Sequence, residues 1–145
     1  MINFLEGKIS LGTKNILASS DDEDLNALTK EGLIEKRETG GGRTYYYVEA
    51  VTDGMRFGVF IRLRETRIEW LRLQWLDSSM KGWDDVSEKS VKDEYRLLSN
   101  FVEQKIGRPP DNKKNRQRMW HFKWGQVEVS YEPRAFQVDI FMATR

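Results

Sequence analysis

His121 is the only histidine and cysteine is absent, so the side chains that most often serve as nucleophile, general base or zinc ligand come down to one imidazole. That imidazole stands in a basic aromatic run with no acid beside it, and it reads as a strand residue. Two carboxylate pairs, Asp21-Asp22 and Asp84-Asp85, could divide acid and base roles or hold a hard cation. Both fall at helix starts, where free N–H groups and the positive dipole end favour anions, and that position already explains them. Gly40-Gly41-Gly42 resembles a phosphate loop, but no Lys-Ser or Lys-Thr follows and the next residues are strand-like, so it reads as a flexible turn. No G-x-S-x-G, H-E-x-x-H or dinucleotide-binding pattern occurs. The expectation is a non-enzyme without catalytic residues, metal or cofactor.

Binding chemistry is better represented. Between Lys105 and Lys123 seven basic residues face Asp111 alone, a local charge of +6, and Trp120, Phe122 and Trp124 are interleaved with them. Lys113, Lys114, Arg116, Arg118 and Lys123 could grip a phosphate backbone while a ring stacks on a base. The same lysines could instead keep a strand edge from pairing with another chain. A second candidate surface combines Tyr45, Tyr47, Phe60 and Arg62, the residue types that dominate protein interfaces.

Composition bounds what can carry these groups. In 145 residues, 39% hydrophobic and 12% aromatic content supports one sizeable core, so residues 1–145 are read as a single α+β domain. A net charge of +1 gives no global field for a polyanion. Neither a signal peptide nor an apolar run of about 18 residues is present, which predicts a cytoplasmic protein without a membrane partner.

The positioning elements can be read in order. Ser20-Asp21-Asp22-Glu23 has the capping-box form and opens a short helix, closed at Gly32 with Leu33 following as in a Schellman motif. Asp53-Gly54 predicts a type I′ hairpin, with Thr52 opposite Met55, Ala50 opposite Phe57, Val48 opposite Val59, Tyr46 opposite Ile61 and Thr44 opposite Leu63. One face of that hairpin is apolar. The other carries Tyr45, Tyr47, Phe60 and Arg62, and is either partly covered by the N-terminal helix or open to a partner. In the return strand Ile68 and Trp70 have the opposite parity to Leu71, Leu73 and Trp75, so a bulge near Trp70-Leu71 is needed to bring Ile68, Trp70, Leu73 and Trp75 to the apolar face. Ser87, with Val86 stapled onto Val91, starts a long helix that ends at Gly107, its stripe formed by Val91, Tyr95, Leu98 and Val102 and widened by Leu97, Phe101 and Ile106. A final hairpin turns at Glu132-Pro133-Arg134-Ala135. The expected architecture is an antiparallel sheet of about five or six strands with one long helix packed on one face and a short N-terminal helix.

From Tyr45 to the end, the order of hairpins, a Trp-led helix (Trp83) ending in Gly107-Arg108-Pro109, and Trp124-Gly125 before the last hairpin resembles a broad set of small bacterial proteins. Among them are immunity proteins that neutralise polymorphic or contact-dependent toxins. The resemblance implies a protein-binding module that inhibits a cognate toxin domain by occlusion, and it carries over no functional residues. The alternative expectation is a nucleic-acid-binding domain using the basic 105–123 segment.

Overall fold

The computed structural model describes residues 1–80 and 87–144. Three short antiparallel strands come first, β1 (Ile2–Asn3), β2 (Lys8–Leu11) and β3 (Lys14–Leu17), followed by helix α1 (Asp22–Lys30). A four-strand meander follows: β4 (Glu35–Glu38), β5 (Thr44–Thr52), β6 (Met55–Arg64) and β7 (Arg67–Trp75). Helix α2 (Glu88–Ile106) leads into a second meander of β8 (Asn112–Lys114), β9 (Gln117–His121), β10 (Gln126–Glu132) and β11 (Gln137–Ala143). The last strand of each meander pairs with the other, so one antiparallel sheet runs β4-β5-β6-β7-β11-β10-β9-β8.

The α+β class is as expected, but the main sheet has eight strands rather than five or six, and a separate three-stranded sheet, β1-β2-β3, accompanies it. The additional strands of the main sheet are its edges. Glu35–Glu38 reads Glu-Lys-Arg-Glu and Asn112–Lys114 reads Asn-Lys-Lys, so neither offers the apolar alternation that marks a half-buried strand.

The central hairpin follows from its dipeptide. Asp53 (φ 51°) and Gly54 (φ 78°) both take the left-handed conformation of a type I′ turn, and the ladder runs from Thr52↔Met55 through Ala50↔Phe57 and Val48↔Val59 to Tyr46↔Ile61. It stops there, short of the expected Thr44–Leu63 pair. The bulge exists but lies earlier than expected: Arg62 pairs with Trp70 and Leu63 with Ile68, leaving Glu69 as the extra residue. The difference reassigns two side chains. Leu71 joins Ile68 and Leu73 in the core, whereas Trp70, expected inside, turns to the opposite face beside Arg62.

Both helix starts are capping boxes. In α1 the cap is Asp21, not Ser20: Asp21 Oδ1 accepts from Asp24 N at 3.0 Å, and Asp24 Oδ2 accepts from Asp21 N at 3.1 Å. The Ser20 hydroxyl is committed elsewhere, accepting from Leu17 N at 2.9 Å. The α1 C-terminus closes as a Schellman motif, with Leu33 N donating to Leu28 O and Gly32 N to Thr29 O. Ser87 caps α2, and Gly107 (φ 85°) ends it. Along α2 Val91, Tyr95, Leu98, Val102 and Ile106 are buried, but Leu97 is 44% exposed and does not widen the stripe as expected. The staple by Val86, the helix-leading Trp83 and the pair Asp84-Asp85 lie outside the described residues.

All of this packing falls on one side of the large sheet. Tyr46, Ile61, Leu71, Met142, Val127 and Trp120 form a buried row from β5 to β9. Helix α2 lies on that side, with Tyr95 against Tyr131 (4.9 Å between ring centroids) and Phe101 stacked on Phe57 (5.8 Å). Helix α1 is there too, where the Tyr46 hydroxyl donates to Asn26 Oδ1 at 2.8 Å. The N-terminal strands join through Phe4, edge-on to Phe101. Helix α1 therefore does not cover the second face.

Candidate functional site

The face on which no described helix packs has its own composition. Register across the sheet places Glu35, Tyr47, Phe60, Arg72, Phe141, Glu128 and Met119 in one row, with Arg37, Tyr45, Arg62 and Trp70 flanking it. On this face of β4 to β11 every described side chain is half-buried or exposed. Gly58, lying among them, is buried, and a Cβ there would come within 2.9 Å of the Tyr47 hydroxyl.

Over β4 to β7 the face is a continuous layer of rings and guanidinium groups. Phe60 contacts Tyr45 at 5.9 Å and Tyr47 at 5.1 Å between centroids, and Trp70 meets Phe141 edge-on at 5.8 Å. Arg72 lies 4.5 Å from the Phe60 ring and 6.0 Å from Trp70, Arg62 lies 6.0 Å from Trp70, and Arg37 covers Tyr47 at 3.9 Å. Such pairs attract each other through the ring quadrupole and hold the side chains in place without burying them. Toward β9 to β11 the layer turns polar: Gln117 and Ser130 both donate to Glu128, and Gln137 donates to Asp139 at 2.9 Å. Burial holds the Asp139 carboxyl above its ordinary range, against the opposing pull of Arg72 and the Gln137 hydrogen bond.

Between the β4–β5 turn and β6–β7 this layer opens into a cleft of about 340 Å³, lined by Thr39, Arg43, Thr44, Tyr45, Phe60, Arg62, Trp70 and Arg72. Three of the four residues expected at a partner surface, Tyr45, Phe60 and Arg62, meet there. Tyr47 sits next to it, between Arg37 and Phe60, with burial raising its phenol above the usual range. Sequence reasoning missed Arg43, Trp70 and Arg72. The alternation Leu71-Arg72-Leu73-Gln74-Trp75 contained the signal for Arg72, because two fully buried leucines on either side turn it outward.

The basic segment is divided. Lys113, Lys114, Arg116 and Lys123 are exposed, the two lysines on the edge strand β8. Arg118 instead points to the helix side, 5.4 Å from the Tyr95 ring. Arg108 is taken up by Asp111 at 2.7 Å and by the His121 carbonyl, and Lys105 by Asp53 at 2.6 Å. The interleaved rings are engaged as well. Trp120 is fully buried and donates to Arg108 O, Phe122 and Trp124 stack on each other at 5.5 Å, and Trp124 donates to Leu5 O at 2.9 Å. No ring of the three is left open for a base, and Lys113 and Lys114 lie on the exposed outer strand of the sheet.

Among the described residues no group of three or more His, Asp or Glu side chains is placed to hold a metal, and no helix is long and apolar enough to cross a membrane. No family model, curated protein or solved structure matches this chain. The sequence marks behind the resemblance have structural duties where they are described: Gly107 supplies the left-handed end of α2, Trp124 fastens β1–β2 to the large sheet, and Gly125 (φ 156°) passes so close to Ala143 O that any Cβ would lie 2.1 Å from it.

Proposed function

We propose that this chain is a non-catalytic protein-binding module that acts by occlusion, and that the helix-free face over β4 to β7 is its contact surface. The observation that carries this reading is the open layer of Tyr45, Phe60, Trp70, Arg62 and Arg72 around one cleft. Aromatic and arginine side chains are the usual energetic centre of protein interfaces, and here they are held in fixed positions by one another at no cost to the core. An antiparallel sheet can leave one face to solvent, but such a face is ordinarily polar, so an aromatic one fits a surface that is covered when the protein works. For the partner we adopt the class that the resemblance implies, a toxin domain held by this chain in an inactive complex.

The test pairs the chain with the product of a toxin-like reading frame encoded directly upstream. Co-expression should restore growth and give a complex stable to gel filtration. The double variant Tyr45→Ala/Arg62→Ala should abolish both while melting at nearly the wild-type temperature. Full protection by the double variant would overturn the choice of face, and failure of the wild-type chain to form any complex would overturn the reading itself.

A further inference from the structure

We infer that the cleft lined by Arg43, Arg62 and Arg72 receives a single carboxylate of the partner protein, an Asp or Glu side chain presented beside a flat apolar group. This rests on the reading of the helix-free face as a protein contact surface, and it assigns the chemistry that the surface recognises.

The first support is an unmet hydrogen-bonding demand. Arg72 Nε is buried and has no acceptor among the described residues. Its nearest acid, Asp139, stands 3.9 Å from Nη1, beyond hydrogen-bond range, and Oδ1 of that carboxylate already accepts from Gln137. Nε itself is shielded from solvent, so an incoming carboxylate would meet the outer end of the guanidinium fork, where the two Nη groups present parallel N–H donors that match its two oxygens. Phe60 at 4.5 Å and Trp70 at 6.0 Å hold the plane of that fork in advance, and their low polarity strengthens any hydrogen bond made there.

Charge and size decide which anion fits. The cleft lining holds three arginines and no carboxylate. Arg62 has Glu69 at 3.3 Å and Arg72 has Asp139 in its neighbourhood, so among the described residues about one positive charge, that of Arg43, is left uncompensated at the rim. That balance suits a monoanion better than a phosphate dianion. The volume of about 340 Å³ is near the lower bound for ligand pockets, enough for one or two side chains, and the rings of Tyr45 and Trp70 provide a wall for the apolar one.

The Nε–H resonance of Arg72 in the full-length chain provides a direct readout. Titration with the capped peptide acetyl-Ala-Glu-Phe-Ala-amide should shift it saturably, with a dissociation constant in the millimolar range, and the Gln analogue should leave it unmoved. Arg72→Lys keeps the charge but loses the fork, and should weaken the peptide by roughly tenfold. Arg43→Gln, in an exposed turn that the core does not use, should weaken it several-fold with the backbone spectrum otherwise unchanged. No saturable shift with the Glu peptide would overturn the inference, as would tighter binding of inorganic phosphate or adenosine monophosphate than of the peptide. The two readings fail separately. If Arg72→Gln still captures the toxin domain while Tyr45→Ala/Arg62→Ala does not, the surface stands and the carboxylate site falls. If the peptide binds but no partner complex forms, the site stands and the toxin reading falls.

Discussion

The pair Trp70 and Leu71 shows how much one residue of register decides. Both are apolar and adjacent, so hydrophobicity alone could not say which faces the core, and placing the bulge after Trp70 sends the wrong ring inside. The structure puts the extra residue at Glu69, with Leu71 fully buried and Trp70 half-buried beside Arg62. A direct expectation follows for urea unfolding. Leu71→Ala should lose about 2–5 kcal/mol, the range for deleting a buried leucine. Trp70→Ala should lose clearly less although it removes more atoms, since its ring contacts Phe141 and two guanidinium groups at the surface. Equal or reversed losses would place the bulge where the sequence pattern first suggested. Arg72 points outward wherever the bulge falls, since Leu73 stays inside in both cases; what hid its role was the placement of its ring neighbour Trp70 on the other face. At the α1 start, too, Ser20 and Asp21 head overlapping capping patterns, and what settles the choice is the Leu17 amide, a contact set by the β3–α1 connection rather than by the capping residues themselves.

At the scale of elements, legibility tracked how local the determining chemistry was. The type I′ hairpin, the Schellman close and the span of α2 were readable because a few neighbouring residues dictate each. β4 and β8 were not, since an edge strand with both faces near water needs no apolar residue and is formed by its partner's hydrogen bonds. The turn joining β4 to β5 holds a further lesson. Thr39 N donates to Arg43 O and Gly42 N to Thr39 O, and only Gly42 (φ 77°) has a conformation that favours glycine. A Cβ on Gly40 or Gly41 would meet nothing within 4 Å. Neither strain nor crowding accounts for those two glycines, which leaves conformational freedom at the wall of the cleft. Replacing either by Ala should raise stability by about 0.4–1 kcal/mol through the unfolded chain, whereas Gly42→Ala should lower it by about 1–2 kcal/mol. Thermal melts of the three single variants decide this, and a destabilised Gly40→Ala or Gly41→Ala would show that the turn needs glycine there.

For the molecule as a whole, the eight-stranded sheet begins and ends on strands of three or four residues that are almost wholly charged. An open sheet exposes unpaired N–H and C=O groups at both edges, and short strands rich in Lys and Glu discourage pairing with a second copy. Lys113→Val/Lys114→Val should therefore drive concentration-dependent self-association, visible by light scattering, with little change in the monomer's fold. A variant that stays monomeric would leave those lysines free for another role, including the nucleic-acid contact that the basic run first suggested.

Because both described helices pack on one side of the sheet, alternate residues along β5, β6, β7 and β11 answer to different pressures. Those facing the helices are constrained by volume, while those facing away are constrained only by whatever they touch. Divergence among descendants of this sequence should thus show a two-residue rhythm, with Phe57, Val59, Ile61, Leu71 and Leu73 drifting slowly and Tyr45, Phe60, Arg62, Trp70 and Arg72 drifting faster, in step with the partner that the proposed contact surface would hold. Such a scaffold can acquire a new specificity by substitution at one parity of its strands without having to be refolded around it.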